Sequence, residues 1–531
     1  MSELSRRGFL TLSAASLAAC TFRPGVAVNR YAPGMAEGHA LRDHPVLPAP
    51  SAEISIDTVI LGSGVAGLTA GWRLAREGFN DFMLVAGPEL GGNATGGQLG
   101  GVAYPRGAHY LPLPGPSLGY VREILAEMGV IESGTDQARP YYDERVLVHS
   151  PEERLYFDGQ WHEGLVPPGA NTEEEAQHRR FFAYVDQLKQ QRGNDGRRVF
   201  EIPSALSSQD PAWLALDLLT FDAWLDRNGY TAPRLRWYLD YACRDDFGTT
   251  SARASAWAGL HYFASRIGQA ANAADEAVLT WPDGLSPVTR HLAAKVGPKR
   301  MLAGMAARVT ERNGKVEALV WQPEQQRTVL IHARKAICAM PLHVASHVVK
   351  ALPQYGFDAG KHMPPHAPWL VANFLFDHFP TEAQGAPLSW DNVVYGSKSL
   401  GYVVATHQLI RAARPETTVF SAYHALADST PEAGRRWLAS ASDDDLYALA
   451  TGDLATVYGW KLWHNASRVE ITLRGHAMAS PTPGFRSNAG LRALQQADGP
   501  ILFAHSDLSG FSIFEEAAWW GDQAARRILQ A

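Results

Sequence analysis

One short run constrains this chain more than any other. Ile56 to Leu61 is a β-branched apolar stretch, the pattern of a buried parallel strand. It leads directly into Gly62-Ser63-Gly64-Val65-Ala66-Gly67, after which Leu68, Ala70, Gly71, Leu74 and Ala75 recur at helical spacing as far as Gly78. A second strand follows at Phe82 to Val85. Strand, glycine turn, helix and strand in that order are the context in which GxGxxG binds a dinucleotide. Gly62 permits the tight turn, Gly64 lets backbone approach a pyrophosphate, and Gly67 lets the helix pack close to the strand. The first N–H groups of the helix, at Val65 and Ala66, then face the phosphates with the helix dipole behind them.

The second strand of such a fold usually ends on an acid that holds a ribose. Here it ends Val85-Ala86-Gly87. Asp81 satisfies a simple count from Gly62 but precedes the strand, at the wrong end. Glu89, just beyond it, can aim a carboxylate at the ribose hydroxyls, and backbone or water contacts are the alternative. Gly91-Gly92-Asn93, Gly96-Gly97 and Gly100-Gly101 come next. That glycine density lets backbone lie close to a large flat ligand and exceeds what a simple NAD domain needs.

At 531 residues the chain is too long for one simple core and implies two to four units at about 150 residues each. Its net charge of -6 argues against a basic face and against nucleic acid as a partner. Of three cysteines, Cys243 reads as buried in a helix and Cys338 as part of an apolar strand, with a disulfide between them as the alternative. No cysteine spacing suits a metal.

The N-terminus reads as an address. Ser5-Arg6-Arg7-Gly8-Phe9-Leu10 resembles the twin-arginine export motif, and Leu17-Ala18-Ala19-Cys20 resembles a lipoprotein box. Cleavage before Cys20 and lipidation of its thiol would leave a protein anchored to the membrane on the periplasmic side rather than spanning it. The twin-arginine translocase, as partner during export, carries chains already folded, which suits one that acquires its cofactor in the cytoplasm. Residues 21–52 are rich in Pro and Gly and read as a tether.

Three blocks in order resemble the flavin-containing amine oxidoreductases, the group that includes monoamine and polyamine oxidases and is related to phytoene-desaturase-type enzymes. The first is GSGVAG with GGN and Arg106-Gly107-Ala108-His109-Tyr110. The second holds Trp281-Pro282-Asp283-Gly284-Leu285, MLAGMAARVTERNGKVEALVW and KAICAMP. The third is GPILFAHSDLSGFSIFEEAAWWGDQAARRIL. The resemblance implies a Rossmann-like α/β FAD-binding domain, three-layered with a parallel sheet, interleaved with an α+β substrate domain. Residues 1–20 are the signal and 21–52 the linker; 53–118, 281–343 and 471–531 form the FAD-binding parts, and 119–280 and 344–470 the substrate domain. FAD would meet Gly62, Gly64, Val65, Ala66, Gly67, Glu89, Gly91, Gly92, Asn93, Gly107, Ala108, His109, Ala306, Asp507, Ser512, Ile513 and Phe514. Asp507 is the candidate for the ribityl or pyrophosphate portion, and a helix is expected from Ser512 to Leu529.

The chain departs from that family in one respect. The strand that carries a Lys near flavin N5 corresponds to Pro368-Trp369-Leu370-Val371-Ala372-Asn373-Phe374-Leu375, which has none, and Lys398 reads as an exposed loop residue. His476 and His109 are the candidate polar groups at the reaction centre, since an imidazole titrates near neutrality. His343 and His407 lack ligand spacing and read as structural. The expected activity is hydride transfer from an amine or related small molecule to FAD, with O2 or a membrane carrier as electron acceptor. A lipid desaturase or isomerase and a non-catalytic FAD-fold protein are the alternatives. A small aromatic pocket with an acidic entrance would count against the lipid enzyme.

Overall fold

The computed structural model describes residues 26–43, 46–410, 413 and 415–531. The twin-arginine and Cys20 motifs lie outside the described residues. Two sheets organise the rest. The first has seven strands, in the spatial order Met301–Leu302, Phe82–Val85, Pro50–Leu61, Arg327–Cys338, Lys315–Gln322 and Met305–Arg312, with Ile501–Phe503 joining Arg327–Cys338. Its centre is parallel, as the glycine turn requires. Its outer part is an antiparallel meander. The opening strand starts at Pro50 rather than Ile56, because Ala52 to Ser55 pair with Val329 to His332.

The second sheet has eight strands contributed by distant segments: Ala27–Tyr31, Ala466–Ala479, His366–Phe376, Thr418–Ala425, Tyr402–Val404, Asp391–Val394, Glu153–Phe157 and Gln160–Glu163. The last two form the hairpin that Asp158-Gly159 predicts, and both turn residues have positive φ (49° and 79°). Helices Thr172–Gln190, Phe221–Arg227, Pro233–Phe247 and Ala256–Ala264 pack around a separate aromatic core. The first is opened by a capping box between Asn171 and Glu174. Cys243 and Cys338 are both buried and unpaired, so no disulfide joins them. Among the described residues no helix is long and apolar enough to cross a membrane.

Residues 21–52, read as a tether partly packed on the surface, are packed over much of their described part. Ala27–Tyr31 forms a parallel edge strand on Arg468 to Thr472, and Met35–Arg42 is a helix. The Arg106 guanidinium lies 3.7 Å over the ring of Tyr31. A five-residue strand with a mostly exposed side carries almost no periodic signal, and its partner is more than four hundred residues away.

The two ends of the dinucleotide fold meet at a helix–helix seam. Val65–Arg76 packs on Phe514–Gln530, where Gly521 lies so close that a Cβ would sit 2.1 Å from the Ala66 carbonyl oxygen. Beside it Arg73 donates to Asp522 at 2.6 Å and to Glu123 at 2.7 Å, with Arg73 and Asp522 both buried. The closing helix begins at Phe514, two residues later than expected. Ser512 accepts a hydrogen bond from the Ala479 N–H, and Ile513 stays extended as the N-cap. Gly521→Ala is expected to destabilise the protein by at least about 1–3 kcal/mol, because backbone rather than a flexible side chain must yield. Thermal denaturation against Gly459→Ala, where a Cβ meets open space but φ is positive, separates the close approach from the loss of a glycine.

Candidate functional site

At the carboxyl end of the opening strand each motif glycine has a distinct surrounding. Gly62 turns with φ of 113°, and a Cβ on Gly67 would lie 1.9 Å from the Gly62 carbonyl oxygen. A Cβ on Gly64 would meet nothing within 4 Å. The crowded glycines therefore build the turn, and Gly64 borders open space at the helix N-terminus, where N–H groups face an anion. The Gly91 N–H donates to the Ser63 carbonyl at 2.8 Å, so the GGN turn lies against this loop. The Asn93 carbonyl accepts from Ala108 N–H at 2.8 Å and its amide donates to the Ala477 carbonyl. Gly107, Ala108, His109 and the strand carrying His476 are thereby gathered on one turn. Ser512, through Ala479, belongs to the same neighbourhood. Ala306 is buried on the meander near Gly304, whose carbonyl accepts from Gly87 at 2.8 Å.

Glu89 is half-buried with its side chain largely covered, and Arg474 holds both of its carboxylate oxygens at 2.7 and 3.1 Å. Tyr31 of the N-terminal strand lies close by, where burial and then the Glu89 carboxylate hold its hydroxyl above the usual range. Any ribose contact from Glu89 thus comes from a carboxylate already oriented by an arginine. Neither Arg474 nor Tyr31 was a sequence candidate. Asp81 sits at the start of its strand, where its carbonyl accepts from Thr58, away from the cradle.

A second region opens beside Gly107–Tyr110. His109 packs against Tyr423 at 4.5 Å, Tyr110 at 5.1 Å and Trp390 at 5.5 Å, and burial pushes its imidazole down to about 3. Together with Trp281, Thr280 and Val404, His109 and Trp390 line a small hollow. Tyr423 donates from its hydroxyl to the Gly107 carbonyl at 3.0 Å. Three carboxyl groups converge on this aromatic wall from separate segments. Burial, reinforced by Asp246, raises Asp245 to about 7. Burial, then Asp245 and Glu153, raises Asp391 well above the usual carboxylate range. Burial, then Glu152 and Glu276, raises Glu153 to about 7. Glu152, Glu153 and Glu276 all reach solvent, while Asp245 and Asp391 are half-buried. The acids therefore run from an open mouth inward. Asp391 sits opposite Glu153 in parallel register.

A third feature joins His343, His366, His476 and Asp507. His476 stacks on His343 with ring centroids 4.1 Å apart. Burial, then Arg435 and His366, pushes His476 down to about 3, so it is neutral at pH 7 and holds a proton weakly. Asp507 is buried and accepts from the Leu342 N–H at 2.8 Å and from His366 at 3.0 Å. The reading of His343 as a lone structural residue is corrected: its partners come from other strands, so no local spacing reveals them. His407 is satisfied by the His149 carbonyl at 2.7 Å, and Lys398 pairs with Asp428 on the surface.

With this geometry in view, the comparisons are specific. Residues 60–128 match the family model of the NAD(P)-binding Rossmann-like domain. An L-amino acid dehydrogenase of Synechocystis sp. is 25% identical over 316 residues, which is 58% of this chain and 60% of that protein. The chain thus aligns with about three-fifths of its length. Putrescine oxidase bound to putrescine superposes with a TM-score of 0.63 at 15% identity, over 90% of this chain and 100% of that one. Cyclohexylamine oxidase from Brevibacterium oxydans IH-35A gives 0.62 at 16% identity, covering 90% and 99%. A conjugated-linoleic-acid-producing fatty acid isomerase from P. acnes gives 0.57 at 18%, covering 89% and 98%. The fold is therefore mixed α/β with a Rossmann-like domain and parallel sheet, the architecture of these amine oxidases.

Two outcomes follow. Gly64 has φ of -68°, which any residue adopts, and open space beside it. Gly64→Val should lose copurifying dinucleotide, measured by absorbance of the denatured supernatant, and should melt at the temperature of the wild-type protein stripped of its nucleotide. The second concerns Asp245. Its folded value of about 7 lies above the ordinary 3.8, so the folded state keeps a proton the unfolded state releases. Its contribution to stability is full below about pH 4 and falls as pH rises to about 7. Asp245→Asn should remove that part of the pH dependence in thermal melts from pH 4.5 to 7.5.

Proposed function

We propose that this chain is a FAD-dependent oxidoreductase that takes a hydride from the carbon next to nitrogen in an amine. The observation that carries this reading is the set of Asp245, Asp391 and Glu153 against the His109, Tyr110, Trp390 and Tyr423 wall. An ammonium entering there would find carboxylates and aromatic faces, the chemistry that recognises a cation. The open side of Gly64 and the helix N-terminus suit the pyrophosphate of FAD, and the Gly91–Asn93 and Gly107–His109 turns, stacked on one another, suit its extended length. Bound there, FAD supplies the hydride acceptor.

The protein's own groups do the rest. An entering cation displaces to solvent the proton that burial keeps on Asp391, so that Asp391 and Glu153 then hold the cation and fix its orientation. The Asp245 carboxylate, titrating near neutrality, is suited to receive the ammonium proton, so that the amine presents a lone pair to the reacting carbon. Tyr423 and Trp390 exclude water from this step. His109, neutral and buried, shapes the wall rather than exchanging protons. The acidic mouth weighs against a lipid substrate, although the same fold occurs in a fatty acid isomerase. Export by the twin-arginine route, a lipid on Cys20, and O2 or a membrane carrier as electron acceptor complete the reading. The resemblance of the N-terminal motifs supports the first two.

Anaerobic addition of amines to the purified protein should bleach a yellow chromophore. A colourless protein that cannot be reconstituted with FAD would sink the reading. Asp391→Asn should raise KM about ten- to hundredfold, the loss of one charge-assisted contact of about 1.5–3 kcal/mol. Uncharged substrate analogues should bind it as they bind the wild type.

A further inference from the structure

Apart from any flavin, the histidine cluster has the makings of a metal site. His343, His366 and Asp507 each place one potential ligand atom within 4.8 Å of the other two, the one such group among the described residues. They come from different elements: the helix Leu342–Val348, the first position of the strand His366–Phe376, and the turn after Ile501–Phe503. The His366 Nε2 to Asp507 Oδ2 distance is 3.0 Å. Two ligands bound at 2.0–2.2 Å in a tetrahedron lie about 3.3–3.5 Å apart, so this pair already has nearly the spacing a zinc-type ion imposes.

Two polar atoms in the cluster lack a partner. Asp507 is 1% exposed, and its Oδ1 accepts no hydrogen bond. The nearest ring, His505, stands 3.3 Å away, but its Nδ1 is itself the acceptor for the Asp507 N–H at 3.1 Å. His343 Nδ1 is also buried and unpaired. A buried carboxylate oxygen with no donor is costly, and a bound cation removes that cost. Asp507 Oδ2 is anchored by the Leu342 N–H at 2.8 Å, the outer contact that orients a ligating carboxylate. His476 stacks flat on His343 and so braces that ring from one side. His343 is not fully buried, which leaves a way in for the ion.

We propose that His343, His366 and Asp507 bind a divalent transition ion of the zinc type, with a fourth position open to water or a small ligand. His366 would ligate through an unprotonated Nε2, its proton moving to Nδ1, and Asp507 through its carboxylate, whose Oδ2 already lies 3.0 Å from that nitrogen. Two histidines and one carboxylate are a common zinc donor set.

The test uses the full-length protein, loaded with zinc, dialysed, and assayed by elemental analysis. About one zinc per chain is expected. His343→Gln and Asp507→Asn should each lose the ion while keeping the wild-type circular dichroism, since Asn preserves an acceptor for the Leu342 N–H. His332→Ala, at a surface histidine paired with Glu53, should keep it. Cobalt in place of zinc should give the visible absorption of a four-coordinate site, abolished in the same two variants. A wild-type chain that retains no zinc, or variants that retain it stoichiometrically, would overturn the proposal. Flavin content is read separately, and His343→Gln, at a residue outside those expected to meet FAD, keeps failure here distinct from failure of the amine-oxidising function.

Discussion

The close seam between the first and last helices of the dinucleotide fold is the contact on which the rest depends. Gly521 against the Ala66 carbonyl and Arg73 against Asp522 join residues some 450 positions apart in sequence. The helix Val65–Arg76 presents its N-terminus to the cradle and rests on the closing helix from Ala66 to Arg73. The cradle is therefore braced by a helix some 450 positions further along the chain. A buried ion pair of this kind adds less to stability than to uniqueness of packing, since desolvation offsets most of its attraction.

Sequence made the cradle legible because its requirements are local. Gly62, Gly64 and Gly67 sit in one turn, and each is forced by steric contact or by open space within that turn. The Asp158-Gly159 hairpin was legible for the same reason. The acidic aromatic hollow was not. Asp245, Asp391 and Glu153 belong to a helix and two sheet strands, and none carries a spacing that points to the others. The histidine cluster was hidden in the same way, its members spread from 343 to 507.

Arg474 shows a subtler limit. A ribose acid is usually sought as a residue type at a fixed count, and Glu89 meets a loose version of that rule. What the count does not show is that the second sheet reaches across to the first and places an arginine on that carboxylate. The same strand, Ala466–Ala479, carries His476 toward His343, contacts Asn93 through Ala477, and pairs with the N-terminal strand. One strand of the substrate-side sheet thus supplies the roof over both ends of the crevice.

The N-terminal strand follows from that roof. Ala27–Tyr31 lies parallel along Arg468 to Thr472, Tyr31 reaches Glu89, and Gly34 sits on Pro88. The described chain thus begins as a latch stitched across the rim of the crevice. The rim at Glu89 is thus braced by a five-residue sheet edge as well as by the side chains that meet there.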